Sequence, residues 1–194
     1  MPTPTVRTMT PADEAAAIDT IVLAFIADPM ARWSWPDAHT YLASMPALSR
    51  AFGGRGFARQ TAFCTTDYAG VALWLPPGVS PDEEAMSQLM AQSLPAAKRP
   101  DADKIFEQMA AYHPSGPHWY LPLIGVDPSL HGQGHGEALM RFSLEQCDRE
   151  HLPAYLESSN PRNISLYKRH GFEPIGTIQA GSSPPVVPML RPPR

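Results

Sequence analysis

One run constrains this chain more than any other: Trp119-Tyr-Leu-Pro-Leu-Ile-Gly-Val126-Asp-Pro-Ser-Leu-His-Gly132-Gln-Gly134-His-Gly136-Glu137. An apolar strand, Trp119 to Val126, leads into a turn at Asp127-Pro128. Three alternate glycines then open a helix running from Gly136 to about Glu150. Glycine there lets backbone N–H groups turn inward and approach a ligand closely. The first helical turn carries N–H groups without internal partners, and the macrodipole adds about half a positive charge. A pyrophosphate is the natural occupant. The loop has no lysine, so its donors would be mainly backbone amides. Binding should then tolerate most side-chain changes, but not bulky residues at Gly134 or Gly136.

Two other nucleotide sites fit less well. A P-loop ends in Gly-Lys-Ser/Thr, whereas this run has Gly136-Glu137-Ala138. A Rossmann site wants Gly-x-Gly-x-x-Gly, and the spacing here is Gly-x-Gly-x-Gly. Glu157 lies about 20 residues on, where a ribose-binding acid would sit. Against that, Asp127 to His131 separates the strand from the glycines, and too little chain follows Glu157 for a doubly wound domain. His131 and His135 are four apart but lie on a glycine turn, without the His-Glu-x-x-His helix of a zinc site, so no metal is expected.

A second run sits downstream, Tyr155-Leu-Glu157-Ser-Ser-Asn160-Pro-Arg-Asn163-Ile-Ser-Leu-Tyr167-Lys-Arg-His-Gly171-Phe172. Ala154 to Ser158 reads as a strand. Asn160 suits a helix N-cap and Pro161 the first helical position. Asn163 and Tyr167 are then one turn apart on one face. Gly171 ends the helix.

In this order, with one helix and one strand between them, the two runs resemble motifs A and B of the GNAT N-acetyltransferase superfamily. The phosphate pattern maps onto His131-Gly132-Gln133-Gly134-His135-Gly136. His131 departs from it, since the family usually has Arg or Gln there. The resemblance implies an α/β (α+β) fold: a mixed, mostly antiparallel twisted sheet of about seven strands, flanked by helices and splayed centrally to hold acetyl-CoA. It implies a coenzyme A site built from Ile124, Val126, His131, Gly132, Gln133, Gly134, His135, Gly136, Glu137, Asn160, Asn163 and Tyr167. Backbone groups of Ile124 and Val126 would pair with the pantetheine arm as an added strand would. Ala72 to Gly78, His118 to Leu121 and Glu157 to Asn160 are similar to the puromycin N-acetyltransferase branch.

The chemistry would be acyl transfer from a thioester to a primary amine of a small molecule or peptide. An alkylammonium has a pKa near 10.4, so the nucleophile must first lose a proton. Tyr167 is expected to act as general acid to the leaving sulfur. A backbone N–H near Ile124 to Val126 would hold the oxyanion. Two bases stay open. His118 lies two residues from Tyr120 and so faces the same side of its strand. Glu157 ends the adjacent strand. A water-mediated or substrate-assisted path is a further route. Cys64 and Cys147 are poor nucleophile candidates, so direct transfer in a ternary complex is expected. A non-catalytic acyl-CoA-binding module on the same fold is the alternative.

Elsewhere, Thr5 to Met9 reads as a strand, and Thr10 caps a helix to about Ala27, stopped by Asp28-Pro29. Asp28 to Ser49 is aromatic and proline-studded, suited equally to core filling and to a substrate wall. Phe63–Thr66 and Gly70–Leu75 form a hairpin. Residues 80–112 read as a helical insertion, capped by Ser80 and broken at Pro95 and Pro100. Strands around Phe172–Ile178 and Val186–Leu190 close the chain. His113, His151 and His170 read as ordinary surface or cap residues. The length suits one domain, 1–194. The net charge of -4 makes no claim on nucleic acid or membrane. The start is no signal peptide and no apolar run approaches 20 residues, so a cytoplasmic protein is expected. The 23 prolines read as loop punctuation.

Overall fold

A computed structural model describes residues 3–194. Seven strands form one sheet: β1 (Val6–Thr8), β2 (Ala62–Thr65), β3 (Gly70–Leu75), β4 (Trp119–Val126), β5 (Ala154–Ser158), β6 (Glu173–Pro174) and β7 (Val187–Arg191), in the order β1-β2-β3-β4-β5-β7-β6. Every neighbouring pair is antiparallel except β4–β5. That parallel pair needs a crossover, supplied by α7 (His135–Glu150). The remaining helices are α1 (Glu14–Ala24), α2 (Pro29–Ser34), α3 (Ala38–Gly53), α4 (Arg55–Ala58), α5 (Glu83–Ser93), α6 (Arg99–Tyr112) and α8 (Ile164–Arg169). No described helix is long and apolar enough to cross a membrane.

Alternation along the strands divides the core. Ala72 and Trp74 of β3, with Leu156 of β5, face α7 and meet Leu139, Met140, Leu144 and Cys147. Val71 and Leu73 face the other way, onto Ile21 of α1 and Tyr41 and Met45 of α3. Tyr120 and Tyr155 share that second side with Leu75. Arg191, only 2% exposed, pins β7 to α7 through Asp148 at 2.7 Å.

Several expected elements shift. The first helix ends at Ala24, and Asp28 caps the next helix instead, its Oδ1 accepting from the N–H groups of Met30 and Ala31 at 3.0 Å. The aromatic stretch folds as α2 and α3 and divides its rings. Trp35 and Tyr41 are fully buried, whereas Trp33 is partly exposed. Asp82, not Ser80, caps α5. Pro95 separates α5 from α6, but Pro100 lies in the first turn of α6, where its missing N–H is harmless. The strand expected over Phe172–Ile178 shrinks to Glu173–Pro174 and one bridge, Ile178 to Val186. The nitrogen of Pro174 faces away from β7; the Ile175 N–H donates to Pro188 O at 2.9 Å, but Pro188 has no N–H to return.

Candidate active site

The sheet is irregular at one place. Leu75 pairs with Tyr120 and Leu73 with Leu123, so Trp74 alone opposes both Leu121 and Pro122. This is a β-bulge in β4, where a proline is tolerated. It reverses the strand's parity. Before it, the Trp119 N–H points toward β5, donating to Pro153 O at 2.9 Å. After it, the Asp127 N–H points toward β3, donating to Ala69 O at 2.9 Å. Ile124 and Val126 therefore turn their backbone groups to the β5 side. There β5 no longer pairs with β4, because the β4–β5 register ends at Leu121–Leu156, although β5 stays paired with β7. The result is a gap edged by strand backbone outside the β-ladder, the Val126 carbonyl being met by His131.

The glycine loop closes one end of that gap. Gly132 and Gly134 have φ of +78° and +89°, values that other residues rarely adopt. A Cβ at Gly132 would meet nothing within 4 Å, and one at Gly134 only Pro4 at 3.6 Å. The loop thus presents amides to an open space at the start of α7, which fits a diphosphate. Gly136 has a different reason to be small: a Cβ would come 3.3 Å from Leu166 of α8. The side chains around the loop turn to protein partners. The His131 Nε2 lies 3.1 Å from Val126 O, and the His135 Nδ1 lies 3.0 Å from Thr65 Oγ1. The Glu137 carboxylate faces Arg169 at 3.6 Å and His170 at 3.1 Å, so it ties α7 to α8 and presents no donor to a phosphate. Gln133 is exposed. Asn160 Oδ1 accepts from the Arg162 N–H at 3.1 Å, capping the turn before α8.

Tyr167 packs with Leu139, Met140 and Phe172, on the same face of the sheet as α7. It is 5% exposed. Burial pushes its phenol pKa up, the charge of Asp28 adds to that, and Asn163 opposes it. The group stays a proton donor at neutral pH. Asp28 is itself buried, and it accepts the Ser159 hydroxyl at 2.6 Å. Burial raises its carboxyl above the ordinary range, and its hydrogen bonds pull back.

Glu157 lies on the opposite face, with a side chain only 4% exposed. Its Oε2 accepts the Tyr120 hydroxyl at 2.7 Å. Its Oε1 is buried without a hydrogen bond. His113 Nε2 stands 3.3 Å from that oxygen, and His113 Nδ1 stands 3.3 Å from His118 Nε2. His118 Nδ1 lies 2.8 Å from Gly116 O. A carbonyl only accepts, so His118 carries its proton on Nδ1 and accepts at Nε2. With both rings neutral, His113 donates from Nδ1 and turns the lone pair of Nε2 to Oε1; with His113 protonated, Nε2 donates to Oε1 as an ion pair. The two atoms frame a position for one proton. Burial, then the charge of Glu157, holds Tyr120 protonated.

His118 and Glu157, the two candidate bases, thus belong to one chain joined by His113. His113, read from sequence as a surface or cap residue, is that link, and Asp28, read as a helix stop, is a second buried acid near Tyr167. Neither has a local signal beyond a carboxylate before proline and a histidine after a helix. The cysteines stand apart from this chemistry: burial pushes Cys147 up to about 12 and also raises Cys64. No group of three potential metal-ligating residues occurs among the described residues.

Residues 84–172 match the acetyltransferase (GNAT) family, a span that includes both the glycine loop and Tyr167. The chain carries a GNAT acetyltransferase domain. The fold agrees over the whole length with the crystal structure described as histone acetyltransferase HPA2 and related acetyltransferase from Corynebacterium glutamicum. That likeness has a TM-score of 0.72 and 29% identity, covering 100% of this chain and 98% of that one. An uncharacterized N-acetyltransferase of Schizosaccharomyces pombe is 29% identical over 124 residues, 55% of this chain and 48% of that protein. An acetyltransferase of Agrobacterium fabrum is 32% identical over 65 residues, 33% of this chain and 47% of that protein. The chain thus spans about half the length of these curated relatives. GNAT acetyltransferases use acetyl-CoA, and the open glycine loop and the β4–β5 gap of this domain suit its diphosphate and its pantetheine arm.

Proposed function

We propose that the chain transfers an acetyl group from acetyl-CoA to a primary amine by direct attack, with both substrates held at once. The observation that carries this reading is the arrangement of Glu157 and Tyr167 about the β4–β5 gap. A buried carboxylate oxygen with no hydrogen bond lies on one face, and a buried neutral phenol packs on the other. Amines arrive protonated at neutral pH, so a base must act before attack. Glu157 takes the ammonium proton into the position shared with His113, and His118 fixes the tautomer that keeps that position open. Acetyl-CoA, when bound, supplies the thioester carbonyl. The amine nitrogen forms a bond to that carbon as the carbon–sulfur bond breaks, and Tyr167 gives its proton to the departing sulfur. Backbone N–H groups at Ile124 and Val126 hold the carbonyl oxygen. Gly132, Gly134 and the first amides of α7 hold the diphosphate. The high pKa of both cysteines favours direct transfer over an acyl-cysteine route.

The test is release of free thiol from acetyl-CoA in the presence of an amine panel, with Glu157→Gln as the diagnostic variant. Its kcat should fall ~10²–10⁴-fold. The deficit should narrow as pH rises toward the amine's own pKa, where no base is needed. Intact acetyl-CoA binding without turnover on any amine would favour the non-catalytic module and overturn this proposal.

A further inference from the structure

A cavity of about 140 Å³ opens where β4 and β5 part, on the α1–α6 side of the sheet. Its wall includes Met30, Met45, Met86, Met90 and Met109, five of the nine methionines in the chain. Methionine provides a soft, polarizable surface that moulds to flat apolar groups. The bulge matters here too, because it places Pro122 and Leu123 together on this lining.

The polar groups of the wall are nearly all consumed. The Trp33 indole N–H donates to Ser182 Oγ at 3.1 Å, and the Trp35 indole N–H to Ser93 Oγ at 3.0 Å. The Ser159 hydroxyl donates to Asp28. Two acids, Asp28 and Glu157, are the only charged residues of the lining, and neither lysine nor arginine reaches it. Glu157 Oε1 is the fully buried polar atom of the wall left without a hydrogen bond, and the Ser34 hydroxyl is the one neutral side-chain donor not already engaged. Such a site has little to give an acceptor rich in hydroxyls, phosphates or carboxylates, most of whose polar groups would be buried unpaired. It offers an apolar body a dry wall, and a cationic head two carboxylates at one end.

We infer that this cavity is the acceptor site and that its ligand is an apolar primary amine, with a hydrocarbon part of about one ring next to the ammonium. A cavity of roughly 150 Å³ is large enough to hold benzene. The ammonium sits between Glu157 Oε1 and Asp28, next to the atom that takes its proton. The larger cavity of about 1030 Å³ beyond α5 and α6 includes His113, His118 and Tyr120 in its lining, which puts the far end of the proton chain at an open cleft. The inference rests on the acetyl-transfer reading for its chemistry, but not for its binding test.

That test uses the full chain with saturating coenzyme A and follows tryptophan fluorescence, since Trp33 and Trp35 line the cavity. The probes are 2-phenylethylamine, spermidine and glucosamine. The expected result is saturable binding of 2-phenylethylamine with a Kd at least tenfold below the other two. Met90→Lys places a cation in the wall and should weaken 2-phenylethylamine at least tenfold while leaving coenzyme A affinity unchanged, which also shows that the variant is folded. Equal or tighter binding of spermidine or glucosamine, or an unaltered Kd in Met90→Lys, would overturn the inference. Tight 2-phenylethylamine binding without acetylation would uphold this site and sink the transfer reaction instead. Acetylation of glucosamine with no 2-phenylethylamine binding would do the reverse.

Discussion

Ser159 donates its hydroxyl hydrogen to Asp28 at 2.6 Å, although 131 positions separate them. That bond ties the end of β5 to the cap of α2. It closes one wall of the gap and buries a carboxylate that folding alone would leave in water.

The burial of Asp28 has a stability signature. Its folded-state pKa is raised above the ordinary value of 3.8, chiefly by desolvation. Folding therefore favours the protonated form. The resulting stabilisation is full below pH 3.8 and is lost as pH rises through the folded pKa. Asp28→Asn keeps an N-cap and removes the charge. The melting temperature of the variant should exceed wild type increasingly as pH rises from 4 to 7, while its KM for amine rises about tenfold or more. Thermal melts across that range, read beside steady-state kinetics, check both halves.

Tyr167→Phe removes one hydroxyl from a packed site and leaves the ring among Leu139, Met140 and Phe172. Its kcat should fall by ~10²-fold or more, the contribution of a general acid. Acetyl-CoA affinity, measured by calorimetry, should stay within about twofold. An unchanged rate at saturating substrate removes Tyr167 from the reaction.

Glycine substitutions should separate two roles in one loop. Gly134→Val forces a β-branched residue to a φ of +89° and should weaken coenzyme A at least tenfold. Gly136→Val instead presses on Leu166 and should lower the melting temperature by loosening α8 from α7. Coenzyme A titrations and thermal melts on both variants distinguish them.

His118→Ala frees the tautomer of His113. Its Nε2 can then carry a proton toward Glu157 Oε1 and fill the position meant for the proton of the amine. We expect kcat to fall about tenfold at neutral pH, with KM for acetyl-CoA unaltered and the loss shrinking at high pH. A pH profile of kcat is the measurement, since a purely structural role would lower the rate equally at every pH.

What could be read in the sequence was what short-range physics writes. The strand, turn, glycines and helix of the phosphate loop are contiguous, so their order announces them. Period-two alternation put His118 and Tyr120 on one face before any coordinates did. The pairing of Asp28 with Ser159, and of His113 with Glu157, depends on how α2 and α6 settle on the sheet, which no local pattern encodes. Glu137 is a similar case: its place in the loop is local, but the pairing of its carboxylate with Arg169 and His170 at the end of α8 depends on how that helix docks. Pro122 was the one local hint of the bulge, since a central strand rarely accommodates proline.

The bulge at Leu121 and Pro122 works as a parity switch of a single residue. Remove one of the two, and every downstream amide of β4 would swap sides. Ile124 and Val126 would then pair into the β3 ladder, and the groups that edge the gap would belong to their neighbours. Which backbone groups face the opening between β4 and β5 is thus set by an odd-or-even count, not by the identity of any side chain.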